Sequence, residues 1–340
     1  MNATFETIDP GSMEVLATVC EMGQDEVDQA VQAAHLAFRG NGVSGWRDFP
    51  VEKRCELVMK LVELCERDRN VLLACEIRDG GKVSELAEGD FAQIRATAEY
   101  FCDVAQKIPL GDGSKLQVAD NIEGYTYREP WGVVAGIIPW NYPIVLTSWF
   151  MFPALLSGNC VLIKPAEDTP LSALYIGKLA EEAGFPPGVV NVLPGRGELT
   201  GQFMAEHSGI RYISFTGSPG VGQHILRTCD RHGTRVKREM GGNGAAVVLD
   251  DADPQLVARM IGRHTNQHFG QTCCTIHRVF VDQKIADDFI DAQREFFTDL
   301  KIGYQAEEGT QLGAVINATQ RSRILAAQKE TVTRGGQAIL

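Results

Sequence analysis

No stretch of this chain reaches the run of about 18 apolar residues that a membrane helix requires. The longest apolar run, at 131–139, is shorter and carries two glycines. The opening residues, Met1-Asn2-Ala3-Thr4-Phe5-Glu6, have neither the basic start nor the apolar segment of a secretion signal. A membrane is therefore not an expected partner. Positive charge is also in short supply: 32 lysines and arginines stand against 44 aspartates and glutamates, for a net charge of −12. Nucleic acids and anionic membranes both require a cationic surface, so neither is expected as the main ligand. A small molecule is. The nine cysteines, at 20, 55, 65, 75, 102, 160, 229, 273 and 274, are odd in number, and none forms a C-x-x-C pair near histidines. That pattern predicts neither a disulfide framework nor a zinc site, and a reducing, cytoplasmic setting is expected. Internal repeats and low-complexity segments are absent from the sequence.

The material that is present is ordinary for a globular protein: 44% hydrophobic and 22% charged residues over 340 positions, enough for two or three domains. Residues 24–39 and 51–70 repeat apolar side chains at three- and four-residue intervals, the period of amphipathic helices, and both are expected to pack on a sheet. Residues 88–107 predict a third helix, ended by Gly111-Asp112-Gly113-Ser114. Beyond it, strands predicted at 122–128, 131–138, 160–164, 189–193 and 212–215 are interspersed with helices at 144–157, 171–184, 198–207 and 219–229. A strand at 245–249 opens a second α/β unit. This alternation predicts a doubly wound α/β fold with a Rossmann-like parallel sheet.

Open α/β sheets bind ligands at the carboxyl ends of their strands, so the residues that follow each predicted strand are candidates. They are Pro139-Trp140-Asn141-Tyr142-Pro143, Lys164-Pro165-Ala166-Glu167 and Thr216-Gly217-Ser218-Pro219-Gly220-Val221-Gly222. The third opens a helix whose free N–H groups suit a pyrophosphate, with Gly217 and Gly222 permitting close approach. It is not a G-x-G-x-x-G string, and ordinary loops contain similar ones. Lys164 and Glu167 stand where a lysine and a carboxylate can grip ribose hydroxyls; taken singly they read as a surface ion pair.

Further on, Arg238-Glu239-Met240-Gly241-Gly242 and Phe269-Gly270-Gln271-Thr272-Cys273-Cys274 pair a carboxylate with a thiol. A Gly-Gln turn before a cysteine presents sulfur on a loop, and the two glycines after the glutamate let backbone pass close to a ligand. A thiol nucleophile and a carboxylate base together suggest covalent thioester chemistry. Singly, each residue reads as a structural cysteine or a solvated glutamate.

Taken in order, P-W-N, K-P-A-E, F-T-G-S, E-x-G-G and G-Q-x-C-x-x-x-x-R resemble the motifs of the NAD(P)-dependent aldehyde dehydrogenase superfamily across nearly the whole chain. The resemblance implies Cys273 as nucleophile, Glu239 as general base and Asn141 as oxyanion-hole amide. It also implies Ile138, Pro139, Trp140, Lys164, Glu167, Gly217, Ser218 and Gly222 as contacts of NAD, with NADP disfavoured because Glu167 repels a 2′-phosphate. Tyr142, Leu146, Trp149, Thr272 and Cys274 are implied to line the aldehyde tunnel, with no metal. The same resemblance divides the chain into an NAD-binding domain at 1–112 and 130–241, an oligomerisation hairpin at 113–129 and an incomplete catalytic domain at 242–340. A homodimer or homotetramer is expected of the complete protein.

The sequence departs from the family pattern at several places. Asn243 stands where lysine is common, Asn266 and Gln267 replace apolar or aromatic residues, Thr275 replaces a small alanine, and Phe150 takes a position that is often charged. The E-x-F-G-P segment expected later in the family is missing, so the chain is expected to be a fragment. A non-catalytic NAD-binding fragment is therefore an open alternative, as is a cysteine hydrolase pairing Cys273 with His268 or His277. Ile108-Pro109-Leu110-Gly111 and Tyr125-Thr126-Tyr127-Arg128-Glu129-Pro130 resemble betaine-aldehyde and aminoaldehyde members.

Overall fold

A computed structural model of the chain describes residues 3–108, 111 and 113–339. Pro109, Leu110 and Asp112, which figured in the substrate and boundary expectations, lie outside the described residues. The chain begins with an antiparallel hairpin, β1 (Thr4–Ile8) and β2 (Val15–Cys20), followed by helices α1 (Gln24–Arg39), α2 (Val51–Arg67), α3 (Arg69–Arg78) and α4 (Ser84–Lys107). A second hairpin, β3 (Lys115–Ala119) and β4 (Ile122–Tyr125), leads into the alternating region. There β5 (Val133–Ile137), α5 (Pro143–Leu156), β6 (Cys160–Lys164), α6 (Leu171–Ala183) and β7 (Val190–Val192) give way to a π turn and α7 (Gln202–Glu206). They are followed by β8 (Tyr212–Gly217), α8 (Pro219–Asp230) and β9 (Arg235–Met240). The second unit holds β10 (Gly244–Val248), α9 (Pro254–Asn266), β11 (Ile276–Val281), α10 (Ala286–Thr298) and α11 (Ala318–Thr333).

Strands β5 to β9 form one parallel sheet in the order β7-β6-β5-β8-β9. Every residue of β5 and β6 is buried, as strands covered by helices on both faces must be. The chain leaves β5 in one direction through β6 and β7, then returns to its other side with β8, which makes the β5–β8 gap the topological switch point. Gly136 fixes how close α5 comes to the sheet: a Cβ there would lie 2.4 Å from the Phe150 ring. Phe150 is accordingly a core residue pressed on β5.

Four local expectations are corrected. The 51–70 helix is two helices, because the backbone at Asp68 leaves the helical region (φ −101°, ψ 25°) while its carboxylate is held by Arg67 and the Tyr175 hydroxyl. The apolar rhythm continues through Val71, Leu72 and Leu73 and hides the break. α1 packs on the sheet as expected, but α2 packs on α4, α5 and α6 and forms an outer helical layer. The 198–207 helix starts as a π turn at 197–201. Strand β9 was not foreseen: four of its six residues are charged, a composition tolerated because it pairs on one side only, with β8.

A large core joins α1 to α6 with the sheet, and a smaller one gathers Val248, Ala258, Ile261, Phe289 and Ala292 in the second unit. The N-terminal hairpin is tied to both: Asp9 accepts from Tyr304 (2.6 Å) and Gln305 (2.7 Å), and Thr7 donates to Asp79. Burial pushes the Asp79 carboxyl up to about 7, against the lowering effect of Thr7 and the Leu171 N–H, with Glu76 and Asp168 adding repulsion. The folded state thus holds this proton more tightly than the unfolded chain, whose aspartates titrate near 4. Stability from this group is fully present below that range and is lost as pH rises toward 7. Asp79→Asn is expected to raise the thermal midpoint relative to the wild type by on the order of 2–4 °C at pH 7.5 and by little at pH 4. A pH-independent difference in thermal melts would contradict this account.

Candidate active site

The register of the sheet brings the candidate residues to one edge. Glu239 pairs with Thr216, so the carboxyl end of β9 lies beside the end of β8, and Ile138-Pro139-Trp140-Asn141 continues from the end of β5 next door. The connection from β9 to β10 then runs against the cysteine loop, where the Gly242 N–H donates to the Cys273 carbonyl at 3.3 Å. Arg278 on β11 donates to the Asn243 carbonyl at 2.9 Å and closes the same turn from the other side. Glu239 and Cys273 are thus neighbours in space, on exposed backbone, with Glu239 also in a 3.3 Å ion pair with Lys237.

The Asn141 amide nitrogen donates to the Gln271 carbonyl at 2.8 Å, which uses one of its two hydrogens. Gln271 also accepts from the Ile316 N–H at 2.9 Å, fastening the loop to the segment before α11. Thr272 Oγ1 lies 3.1 Å from the Gln267 carbonyl, to which it donates, and 2.9 Å from the Tyr142 hydroxyl, from which it therefore accepts. These bonds hold Cys273 and Cys274 outward, both exposed, while Thr272 and Thr275 on either side are buried.

The Cys273 thiol is raised above its ordinary range first by partial burial, then by the Cys274 sulfur and the Glu239 charge; its own backbone N–H opposes them. Tyr142 is pushed up to about 12 by burial, so its phenol stays neutral. Of the other tunnel candidates, Leu146 is half-buried against the main core, whereas Trp149 is exposed.

The switch point between β5 and β8 lies at the same end of the sheet. Ser218 caps α8, which follows β8, by accepting from the Val221 N–H at 3.4 Å. Gly217 and Gly222 have a packing reason for lacking a side chain: a Cβ at either would meet the Phe215 ring, at 2.6 and 3.2 Å respectively. Lys164 is no surface lysine. It is 2% exposed, its ammonium donates to the Pro165 carbonyl (2.9 Å) and toward Glu167 (3.4 Å), and burial lowers its pKa. The Glu167 carboxylate beside it is half-exposed.

Neither histidine serves Cys273 as a paired base. Among the described residues neither ring nitrogen of the buried His268 has a hydrogen-bond partner, its pKa is driven well below the ordinary histidine value by desolvation and by Lys82, and His277 is exposed on β11.

The sequence profile of the aldehyde dehydrogenase family matches residues 1–340. The chain belongs to that family. It is 37% identical to human retinal dehydrogenase 2 over 335 residues, covering 98% of this chain and 64% of the relative. It is 37% identical to an aldehyde dehydrogenase of Emericella nidulans over 323 residues, covering 95% and 64%. The chain therefore spans about two thirds of the length of these relatives. The fold superposes with a TM-score of 0.94 on the NAD+ complex of an aldehyde dehydrogenase from Bacillus cereus (35% identity, 99% of this chain and 68% of the other). It does so with 0.93 on betaine aldehyde dehydrogenase from Staphylococcus aureus with NAD+ (31%, 98% and 65%).

Sequence reading alone missed Lys82, Glu76 and Asp90, which form a buried cluster behind Tyr142, and the anchoring role of Gln271. Nothing in Asp79-Gly80-Gly81-Lys82 marks a buried lysine rather than a helix-connecting turn. Because the Glu239 charge raises the Cys273 thiol, Glu239→Gln is expected to speed alkylation of Cys273 by iodoacetamide at pH 7.5. The gap should close at alkaline pH, where both proteins are thiolate; mass-spectrometric rates over a pH series decide it.

Proposed function

We propose that the chain carries the nucleophile and much of the cofactor cleft of an NAD-dependent aldehyde dehydrogenase that oxidises a small aldehyde to a carboxylate. The observation that carries this is the joining of the Asn141, Glu239 and Cys273 segments at one edge of the parallel sheet. In this reading the Cys273 thiolate attacks the aldehyde carbon, forming a C–S bond and an oxyanion. The second Asn141 N–H and the Cys273 backbone N–H stabilise that charge, a contribution of about 3 kcal/mol per donor. Bound NAD supplies the acceptor for the hydride that leaves the carbon. Glu239 then takes a proton from water, which adds to the Cys273 thioester and releases the acid and the thiol; such a base contributes about 10²–10⁴ in rate.

The residues present fit the dinucleotide. The capped α8 N-terminus at the switch point suits a pyrophosphate, and Lys164 and Glu167 present a cation and a carboxylate at the end of β6, the latter favouring NAD over NADP. Ile138, Pro139 and Trp140 line the adjoining strand end. Tyr142, Leu146, Trp149, Thr272 and Cys274 would meet the aldehyde, and the aromatic pair Tyr142 and Trp149 is compatible with a quaternary-ammonium aldehyde. The exposed β3–β4 hairpin supports assembly into a homodimer or homotetramer, and the composition a cytoplasmic setting. A second reading, NAD binding without turnover, draws only on the capped α8 N-terminus and the Lys164 and Glu167 pair.

NADH formation by the purified 340-residue chain with propanal, benzaldehyde and betaine aldehyde tests the proposal. Cys273→Ala is expected to abolish turnover, and Glu239→Gln to keep a burst of NADH while slowing the steady state by about 10²–10⁴. A Cys273→Ala protein that still reduces NAD at the normal rate would sink the assignment. NAD binding without turnover would select the second reading. Glu167→Gln is expected to narrow the preference for NAD over NADP in binding titrations.

A further inference from the structure

Behind the cysteine loop lies a cluster of charges that the proposed chemistry does not use. Lys82 is fully buried between α3 and α4, with its ammonium 2.6 Å from Glu76 and 2.5 Å from Asp90. Two of its N–H groups are thereby committed to carboxylates. The ammonium also stands 4.8 Å from the centre of the Tyr142 ring, close enough for attraction to the π face. From that ring the path continues through the Tyr142 hydroxyl to Thr272 Oγ1 at 2.9 Å, and Thr272 is bonded by the chain to Cys273. The edge of the Tyr142 ring meets His268 at 5.7 Å between centroids.

The loop that receives these contacts is strained. His268 (φ 47°) and Phe269 (φ 58°) both sit in the left-handed region without being glycine or asparagine. Such backbone persists only when the surroundings over-determine it. Among the described residues neither buried ring nitrogen of His268 has a hydrogen-bond partner. The side-chain restraints that remain on this part of the loop include Tyr142 on Thr272, Asn141 on Gln271 and the packing of Phe269 against Gly313.

We propose that Lys82, fixed by Glu76 and Asp90, is a positioning residue for Cys273, acting through the Tyr142 ring and its hydrogen bond to Thr272. The inference rests on the reading of Cys273 as nucleophile. Lys82 touches no reacting atom; it sets the ring from which Thr272 hangs, and through it the direction in which the sulfur faces.

The test reads thiol reactivity and so does not depend on turnover by this chain. Iodoacetamide alkylation of Cys273 is followed by mass spectrometry in the wild type, Lys82→Met, Tyr142→Phe and the double variant. Exposed Cys20 reports general reagent access, and buried Cys65 and Cys160 report global loosening. Lys82→Met and Tyr142→Phe are each expected to raise the Cys273 rate several-fold with Cys20, Cys65 and Cys160 unchanged. The double variant should be no faster than the single ones, as expected for residues acting along one path. Lys82→Arg, which keeps the cation, should restore most of the wild-type rate. Removing Lys82 leaves two buried carboxylates facing each other; if that variant does not fold, Glu76→Gln replaces it, with the same expected sign. Wild-type Cys273 rates in folded variants, additive effects, or parallel exposure of Cys65 and Cys160 would each overturn the proposal. A chain that makes no NADH but shows the coupled alkylation would instead fault the proposed activity alone.

Discussion

The hydrogen bond from the Asn141 amide to the Gln271 carbonyl joins two parts of the chain that have separate cores. Asn141 comes from the end of the central strand β5, and Gln271 from the loop that carries Cys273. Through this bond the geometry of the parallel sheet is passed to the sulfur. The Gly242 bond to the Cys273 carbonyl adds a second tie, and the Glu239–Thr216 pairing places the carboxylate at the same edge.

Burial of charge recurs around this edge, with different physical outcomes. Lys164 is desolvated yet retains carbonyl and carboxylate partners at the end of β6. Lys82 has two carboxylates and an aromatic face, and acts from behind the site. Asp79 is buried with Thr7 and the Leu171 N–H as donors, and burial raises its proton affinity in spite of them. These groups are costly to bury without such partners.

The α/β alternation, the strand-end motifs and the aldehyde dehydrogenase family were legible in the sequence because buried parallel strands read as short β-branched runs and the ligand-facing residues follow them directly. Strand β9 was not legible. An edge strand exposes one row of side chains to water, so Arg235, Lys237, Arg238 and Glu239 look like a solvated segment. The break at Asp68 was hidden by a continuous apolar rhythm, and the outer-layer position of α2 by the fact that a helix shows the same stripe to a sheet as to other helices.

Local chemistry therefore determined which residues are candidates: thiol, carboxylate, amide, and the lysine and glutamate that follow β6. Their types and order are written in the chain, since hydrophobic period and turn chemistry act within a few residues. Tertiary structure alone decided that Phe150 packs on Gly136, that Lys164 is buried, that His268 packs on the Tyr142 ring and that Lys82 stands behind Tyr142. Each of those facts depends on a neighbour distant in sequence, and a side chain's burial, charge partner and direction are set by that neighbour, not by its own flanks.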